Sequence, residues 1–445
     1  MLCKFAAALA VAMFPVGAAA VAQVGSVATP RAGAPGTLRP AGPPAPPAGS
    51  QPLPVPRSGP LPSSLTLVQA LEEAEARAPA IAAARARVEA AGARVGQAGV
   101  RSNPELSVEV ENVLGSGELS GVRAVETTVA VNQRLDLGGR RRSRVTAAQA
   151  ELSAEQVRLA IVRADLAQSV REQFARAVVA GERLRLAQDN EERARELARI
   201  AQLLVENGRE PPLRALRARS AATQAMAELE AARAEERSSR ATLVALFGVT
   251  VPIESLSGNL VDLAPSRVNP EGSLEVRLAE AERIVAEAAL AREQAATRID
   301  PAVGLGVRHV REARSVALVG GLSMPLPVFD RNRGNVEAAR AGVRAAEANL
   351  ASIRATVRVR TANAVTNVHS ATARVEALQR SAIPDAAEAV RLSRLAYIEG
   401  RASLVELLDA QSAYRQAQAA LIDARLAQAL STAELGRVTA QQDPR

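Results

Sequence analysis

The chain has 445 residues, 55 Lys and Arg against 47 Asp and Glu for a formal net charge of +8, and only 2% aromatics with no Trp. A compact enzyme of this size fills its core with Phe, Tyr and Trp, so a composition dominated by Ala, Arg, Glu, Leu and Val points instead to long helices and coiled coils. The charges are mixed in sign along stretches such as AEERSSR and NEERAREL, and stacking aromatics are missing. This argues against a nucleic-acid partner and leaves lipid phosphates as the partner of an exported basic chain.

Residues 1–22 read as an export signal. Lys4 supplies a positive start, Phe5 to Ala20 is almost continuously apolar, and Ala20-Val21-Ala22 is a small-x-small cleavage site before Gln23. An uncleaved anchor helix is the alternative, but Pro15 and Gly17 break the apolar stretch and no basic flank follows it. Cys3 precedes the apolar region, where no lipoprotein cysteine belongs, and the cleaved chain keeps no cysteine for a disulfide, a thiolate metal site or a nucleophile. Residues 23–64 are rich in Pro, Gly and Ala and read as a flexible leader.

Residues 65–250 form the first structural unit. Leu65 to about Val100 reads as one helix, stopped at Asn103-Pro104. The period then changes from 3.6 to 2. Leu106, Val108 and Val110 alternate with Ser107, Glu109 and Glu111; glycines at 115, 117 and 121 mark a turn; Val125, Thr127, Val129 and Val131 alternate with Glu126, Thr128, Ala130 and Asn132. Carboxylates on every second strand residue suit a barrel with lipid outside and water inside. Leu137-Gly138-Gly139 ends this hairpin. A helical stretch from Arg140 to Phe247 follows, with interruptions expected at Gly181 and over Asn207–Pro212. Residues 251–272 read as an irregular connector.

Residues 273–437 then replay the first unit, before a short tail at 438–445. A helix over Leu274–Arg298 precedes Pro301. A second hairpin follows, with Val303, Leu305 and Val307 on one strand, a turn near Arg311–Arg314, and Val316, Leu318, Gly320 and Leu322 on the other. A helix from Val336 to about Ser381 comes next, with breaks at Pro384 and Gly400 and a last helix ending near Leu435. The segments Leu203–Ser220 (LLVENGREPPLRALRARS) and Leu395–Ser412 (LAYIEGRASLVELLDAQS) align without a gap, and RSNPELSVEVENV from Arg101 matches RIDPAVGLGVRHV from Arg298. The sequence therefore implies an internal twofold repeat.

Four strands cannot close a barrel, and an open sheet in lipid would leave unpaired edges. Outside the first residues no apolar run reaches about 18 residues, so no membrane-crossing helix is available. The expected fold is mainly α with a small β part: a long α-helical coiled-coil barrel plus four β-strands per chain. Three copies would complete a 12-stranded outer-membrane β-barrel, with the helices forming a hollow tube beneath it.

In this order of elements the chain resembles the outer-membrane efflux protein family, the TolC-like trimeric channels, from Leu65 onward. Tyr397-x-x-Gly400-x-x-Ser403-x-x-Glu406-Leu407-Leu408-Asp409-Ala410-Gln411 is similar to that family's C-terminal signature, and Gly208, Leu216 and Ala218 mark its degenerate first copy. The segment Pro325-Leu326-Pro327-Val328-Phe329-Asp330-Arg331-Asn332-Arg333-Gly334-Asn335 resembles the strand-to-helix junction of the cobalt–zinc–cadmium resistance (CzcC-like) branch, although the lipid-modified cysteine of some members is absent. The resemblance implies a homotrimer in outer-membrane lipid that works with a periplasmic adaptor and an inner-membrane pump of the resistance–nodulation–division type. It implies a passive conduit without cofactor, whose cargo is divalent heavy-metal cations. The same channel serving drug efflux or type I secretion is the alternative. A periplasmic coiled-coil adaptor is the alternative of another class, disfavoured by the two hairpins.

Four groups of residues follow as candidates. Asp136, Gly138 and Gly139, with Pro325, Pro327, Phe329, Asp330, Asn332 and Gly334, are expected to set the angle between strands and helices, the acids as N-caps and the glycines through unusual φ. Arg140, Arg141, Arg142 and Arg144 either meet lipid phosphates at the rim, ring the pore, or are a solvated helix start. Gly181, Glu182 and Arg183, with Arg374 and Glu376, are placed at turns at the far end of the tube, as a closable entrance or as plain polar hairpins. His309 and His369 lack the clustered ligands that a metal site needs, and no enzymatic motif is present.

Signal peptidase is expected to cut after Ala22 and leave Gln23 as an unacylated mature start. Intact-mass measurement of membrane-extracted protein checks this; a retained Cys3 or a lipid adduct refutes it.

Overall fold

The computed structural model describes residues 59, 61–113, 116–117, 121–249, 253–257, 268–399 and 401–440. The signal segment, almost all of the leader, Gly115, Pro252, Gly258, Pro265, Gly400 and residues 441–445 lie outside the described residues.

The expected first helix is two. Strand β1 (Ser64–Leu65) leads to α1 (Leu67–Arg77), which a capping box between Thr66 and Gln69 starts, and α2 (Pro79–Gly99) follows. Pro79 divides them, because it has no N–H to donate and pushes Ala78 out of the helical region, to φ −58 and ψ 124. β1 pairs in parallel with β4 (Ser255–Leu256), so residues read as leader and connector join one small sheet. The reason is Leu65, which is fully buried with Leu67, Val170, Phe174, Leu243, Phe247 and Ile253.

Helix α3 (Arg140–Glu206) has 67 residues, about 100 Å at 1.5 Å per residue. It passes through Gly181 without a break, so the interruption expected there does not exist. One glycine in a packed helix costs only about 1 kcal/mol, less than the flanking turns gain from Val179 and Ala180, both buried. The chain turns at residues 207–211. Gly208 stands at φ 68, the Arg209 N–H returns to the Leu204 carbonyl at 2.9 Å and the Gly208 N–H to Val205 at 3.0 Å. Helix α4 (Pro212–Ala245) runs back along α3, which brings Leu243 and Phe247 to Val170 and Phe174.

The same order follows again: α5 (Leu274–Ala296), two strands, then α6 (Arg333–Ala377). Pro384 does not break this helix. A π-helical turn over Leu378–Ala382 absorbs the missing donor, and α7 (Ile383–Ile398) continues the rod. At the second turn the Arg401 N–H bonds the Ala396 carbonyl at 2.8 Å, the same five-residue closure as at Arg209. Helix α8 (Leu404–Val438) starts from a Ser403–Glu406 capping box and runs back along α6, α7 and α3.

Strands β2 (Glu105–Glu111), β3 (Glu126–Arg134), β5 (Ala302–Val310) and β6 (Ser315–Ser323) form one antiparallel sheet in the order β2-β3-β5-β6. The hairpin of each half is thus joined to the other by β3 and β5, from Glu126 opposite Val310 to Arg134 opposite Ala302. Neither β2 nor β6 has a strand on its outer side among the described residues.

Candidate functional site

The register sorts the sheet's side chains onto two faces. On one, Leu106, Val108 and Val110 lie opposite Val131, Val129 and Thr127; Val131 and Val129 lie opposite Leu305 and Val307; Leu322 and Leu318 lie opposite Val303 and Val307. This face is apolar and open, with Leu318 75% exposed. His309 belongs to it, between Thr127 and Val316. Water has no reason to be offered such a surface; hydrocarbon does.

The other face is polar. The Arg308 guanidinium donates to Thr128 Oγ1 at 3.0 Å and lies 3.2 Å from the Glu111 carboxylate and 3.1 Å from that of Glu126. Asn132 donates to Ser107 Oγ at 2.9 Å. This face is also concave. A Cβ on Gly306 would fall 2.6 Å from the Ala130 Cβ, and one on Gly304 would fall 2.2 Å from Asn132 Oδ1. Side chains crowd on the inside of a curl, so the glycines are what lets the sheet close toward its polar side.

The strand-to-helix junctions are built differently from one another. After β3, Gly139 caps α3 from the left-handed region at φ 78. The Gly138 N–H donates to Asp300 Oδ1 at 2.7 Å, and a Cβ at Gly138 would lie 2.8 Å from that oxygen. Asp136, expected to cap, makes no such bond, and α3 has no side-chain cap; the carboxylate that holds the residue before the cap is Asp300, 4% exposed and supplied by the second half of the chain. Before α6, Asp330 accepts the Asn332 N–H at 2.8 Å, one step ahead of the helix, whose N-cap is Asn332 itself. Asn332 takes the left-handed conformation at φ 56, and its amide donates to Glu293 at both the backbone and the carboxylate, 3.0 and 3.1 Å. That bond, with Arg292 second, holds the Glu293 carboxyl below the usual carboxylate range. Gly334 is ordinary helix with open space around it, so no special φ is required there. Pro325, Leu326, Pro327, Val328 and Phe329 form an apolar loop whose tip, Phe329, is 99% exposed.

Three of the four arginines after β3 have hydrogen-bond partners within the chain. Arg140 donates to the carbonyls of Ala296 and Arg298 at 2.8 and 2.5 Å, and its Nε lies 3.2 Å from Asp300 Oδ2. Arg141 donates to Gly99 at 3.3 Å and Arg144 to Val100 at 3.5 Å. They bind the orphan carbonyls at the negative ends of α5 and α2, where a cation is favoured. Arg141 and Arg142 are both exposed, and the Arg142 side chain has no polar partner among the described residues.

The proposed entrance residues also lie elsewhere. Gly181 is about 38 Å up the helix from the turn at 207–211. Arg183 pairs with Glu235 on α4 at 2.6 Å and with Asp423 on α8 at 2.7 Å; the Asp423 bond raises its pKa above the ordinary value. Glu182 lies 3.8 Å from Arg425, Glu376 pairs with Arg380 along its own helix, and Arg374 is exposed. The turns at the helix ends are the signature segments: Gly208 sits in one, and Tyr397 precedes and Leu408, Asp409 and Ala410 follow the other. Ala218 is buried and Leu216 exposed just beyond the first turn. His369 lies on α6, and no group of three His, Cys, Asp or Glu that could hold a metal occurs among the described residues.

The change Asp300→Ala is expected to lower the thermal unfolding midpoint, since it leaves the Gly138 N–H without its acceptor and Arg140 without its ion-pair partner, at roughly 1–3 kcal/mol. Asp136→Ala should do little by comparison. Circular dichroism of both variants in detergent checks the difference, and equal shifts would refute it.

The comparisons with known proteins agree with this architecture. The model of the family described as "Outer membrane efflux protein" matches residues 70–249 and 272–441. The nickel-cobalt-cadmium resistance protein NccC of Alcaligenes xylosoxydans xylosoxydans is 34% identical over 304 residues, 67% of this chain and 69% of its own. The cobalt-zinc-cadmium resistance protein CzcC of Cupriavidus metallidurans is 32% identical over 365 residues, 80% and 85%. Among solved structures, CusC superposes with a TM-score of 0.72 at 18% identity, covering 84% of this chain and 92% of that one. The outer membrane protein VceC of Vibrio cholerae gives 0.69 at 21%, covering 84% and 96%. The chain therefore belongs to the outer membrane efflux protein family, whose members are outer-membrane channel components of tripartite efflux systems and not enzymes.

Proposed function

We propose that three copies of this chain form a closed conduit from periplasm to exterior and that its cargo is divalent heavy-metal cations. The observation that carries the first part is the four-stranded sheet: apolar outside, polar and concave inside, and unpaired at both edges. In hydrocarbon each unpaired backbone group costs several kcal/mol, and four strands are too few to close on themselves. Twelve strands from three chains remove every edge. The rods α3 and α6–α7 then descend as a tube into the periplasm, and the turns at 207–211 and 399–403 stand at its far end, where an adaptor and an inner-membrane pump would meet it. The conduit is passive, with energy supplied by the pump.

The cargo follows from kinship. NccC and CzcC are named for resistance to nickel, cobalt, zinc and cadmium, and the junction Pro325–Asn335 has the branch-like sequence.

Detergent-extracted protein is expected to have the protein mass of three chains by light scattering; a stable monomer with exchange-protected strand amides would refute the closure argument. Deleting the gene is expected to sensitise the cell to cobalt, zinc, cadmium or nickel more than to dyes and antibiotics. The reverse pattern would move the cargo to drugs and leave the fold untouched.

A further inference from the structure

The chain contains one seam between its two halves, and that seam is a template for a second one. Strands β3 and β6 are each nine residues long and each precedes a long rod; β5 and β2 each follow a shorter helix and an X-Pro step, Asp300-Pro301 and Asn103-Pro104. Within the chain, β3 pairs with β5. Strands β6 and β2 are left open, one at each edge.

We propose that β6 pairs antiparallel with β2 of a second copy in the register of the internal seam: Ser323 opposite Glu105, Leu322 opposite Leu106, Gly321 opposite Ser107, Gly320 opposite Val108, Val319 opposite Glu109 and Leu318 opposite Val110. The proposal rests on the trimer reading and adds its register. Two observations support it. Laying β6 on β3 and β2 on β5 from their first residues carries the observed pairs Arg134–Ala302, Asn132–Gly304 and Ala130–Gly306 onto these. The transferred register also keeps Leu322, Gly320 and Leu318 on the same face as Leu106, Val108 and Val110, whereas a slip of one residue would set Glu105 and Glu109 among the leucines in lipid.

The helices carry the same seam downward. Arg140 and Arg333 are the first residues of α3 and α6, each preceded by a left-handed cap, Gly139 and Asn332. Arg140 holds the carbonyls of Ala296 and Arg298 at the end of α5. The corresponding end of α2 has Gly99 and Arg101. Arg333 is exposed and its side chain has no polar partner among the described residues. In the assembled channel it joins Arg141, which already donates to Gly99, at those two carbonyls of α2 in the second copy. The two seams differ in curvature, because Val319 opposite Glu109 stands where Gly306 makes room for Ala130, so the barrel bends less between copies than within one.

Disulfide trapping tests the register. The Leu135 N–H bonds the Pro301 carbonyl and the Arg311 N–H bonds that of Val125, which puts the ladder bonds on alternate pairs and leaves Asn132–Gly304 and Ala130–Gly306 between them. The transferred pairs Gly321–Ser107 and Val319–Glu109 are then non-hydrogen-bonded, with Cα atoms about 4.5 Å apart on the water side, within disulfide reach. In full-length protein carrying Cys3→Ser, oxidised in native membranes, G321C with S107C and V319C with E109C are expected to give covalent dimers and trimers at least tenfold above either single variant. The pairs V319C with S107C and V319C with E111C, displaced by two residues, should not. Cross-linking of the displaced pairs, or of none, in protein that still has the mass of three chains under reduction overturns the register and leaves the trimer standing. Protein with the mass of one chain that cross-links at no pair overturns the trimer as well. Arg333→Gln, which leaves the sheet untouched, should lower the temperature at which detergent-extracted trimers dissociate, while Arg340→Gln on the same helix should not; equal behaviour removes Arg333 from the seam.

Discussion

Everything in this molecule depends on a sheet that has two open edges and sits where water cannot satisfy them. A strand in water can leave its outer N–H and C=O groups to the solvent. A strand with Leu318 and Val108 turned toward hydrocarbon cannot, because each orphan group there loses a whole hydrogen bond. On the reading proposed above, the apolar face demands closure, closure demands more strands than one chain has, and the number of strands sets the number of rods below. The repeat order of elements supplies the geometry: β3 already meets β5 as two separate hairpins would meet across copies.

The junctions solve a second problem, turning a chain with period 2 into one with period 3.6 within a few residues. The left-handed caps Gly139 and Asn332 make the corner. What fixes its angle is charge at helix ends. The last carbonyls of α2 and α5 point down the dipole with no partner of their own, and Arg140, Arg141 and Arg144, all from the first turns of α3, reach across to them. One helix start therefore ties down two helix ends. Asp300 keeps Arg140 oriented and satisfies the Gly138 donor besides.

The hairpins, their faces and the order of elements were legible in the sequence because alternation and helical periodicity are local signals. The errors fell where local signals compete with packing. Gly181 reads as a breaker, yet the buried neighbours of α3 carry the helix through it. Pro384 reads as a stop, yet a π turn one step earlier accommodates it. Ser64 reads as the end of the leader and Leu65 as the start of a helix, yet the burial of that leucine makes the pair a strand. Asp300 could not be found from Gly138, since 162 residues separate them; only its place before Pro301, matching Asn103 before Pro104, hinted at a shared role. The signature segments were recognised as motifs, but their place at the rod ends rests on turn geometry, a left-handed Gly208 at the first and a Ser403–Glu406 capping box restarting the helix after the second, while Glu182 and Glu376 lie within helices.

The polar face also bears on how the conduit treats its cargo. Glu111 and Glu126 are drawn onto Arg308, whereas Glu105 and Glu109 on the same face have no ion-pair partner among the described residues, which leaves that face net acidic. No cluster of metal ligands occurs among the described residues. The interactions that are built here serve the two faces of the sheet and the angle at which the rods leave it, with the turn at 207–211 about 100 Å along α3 from the junction.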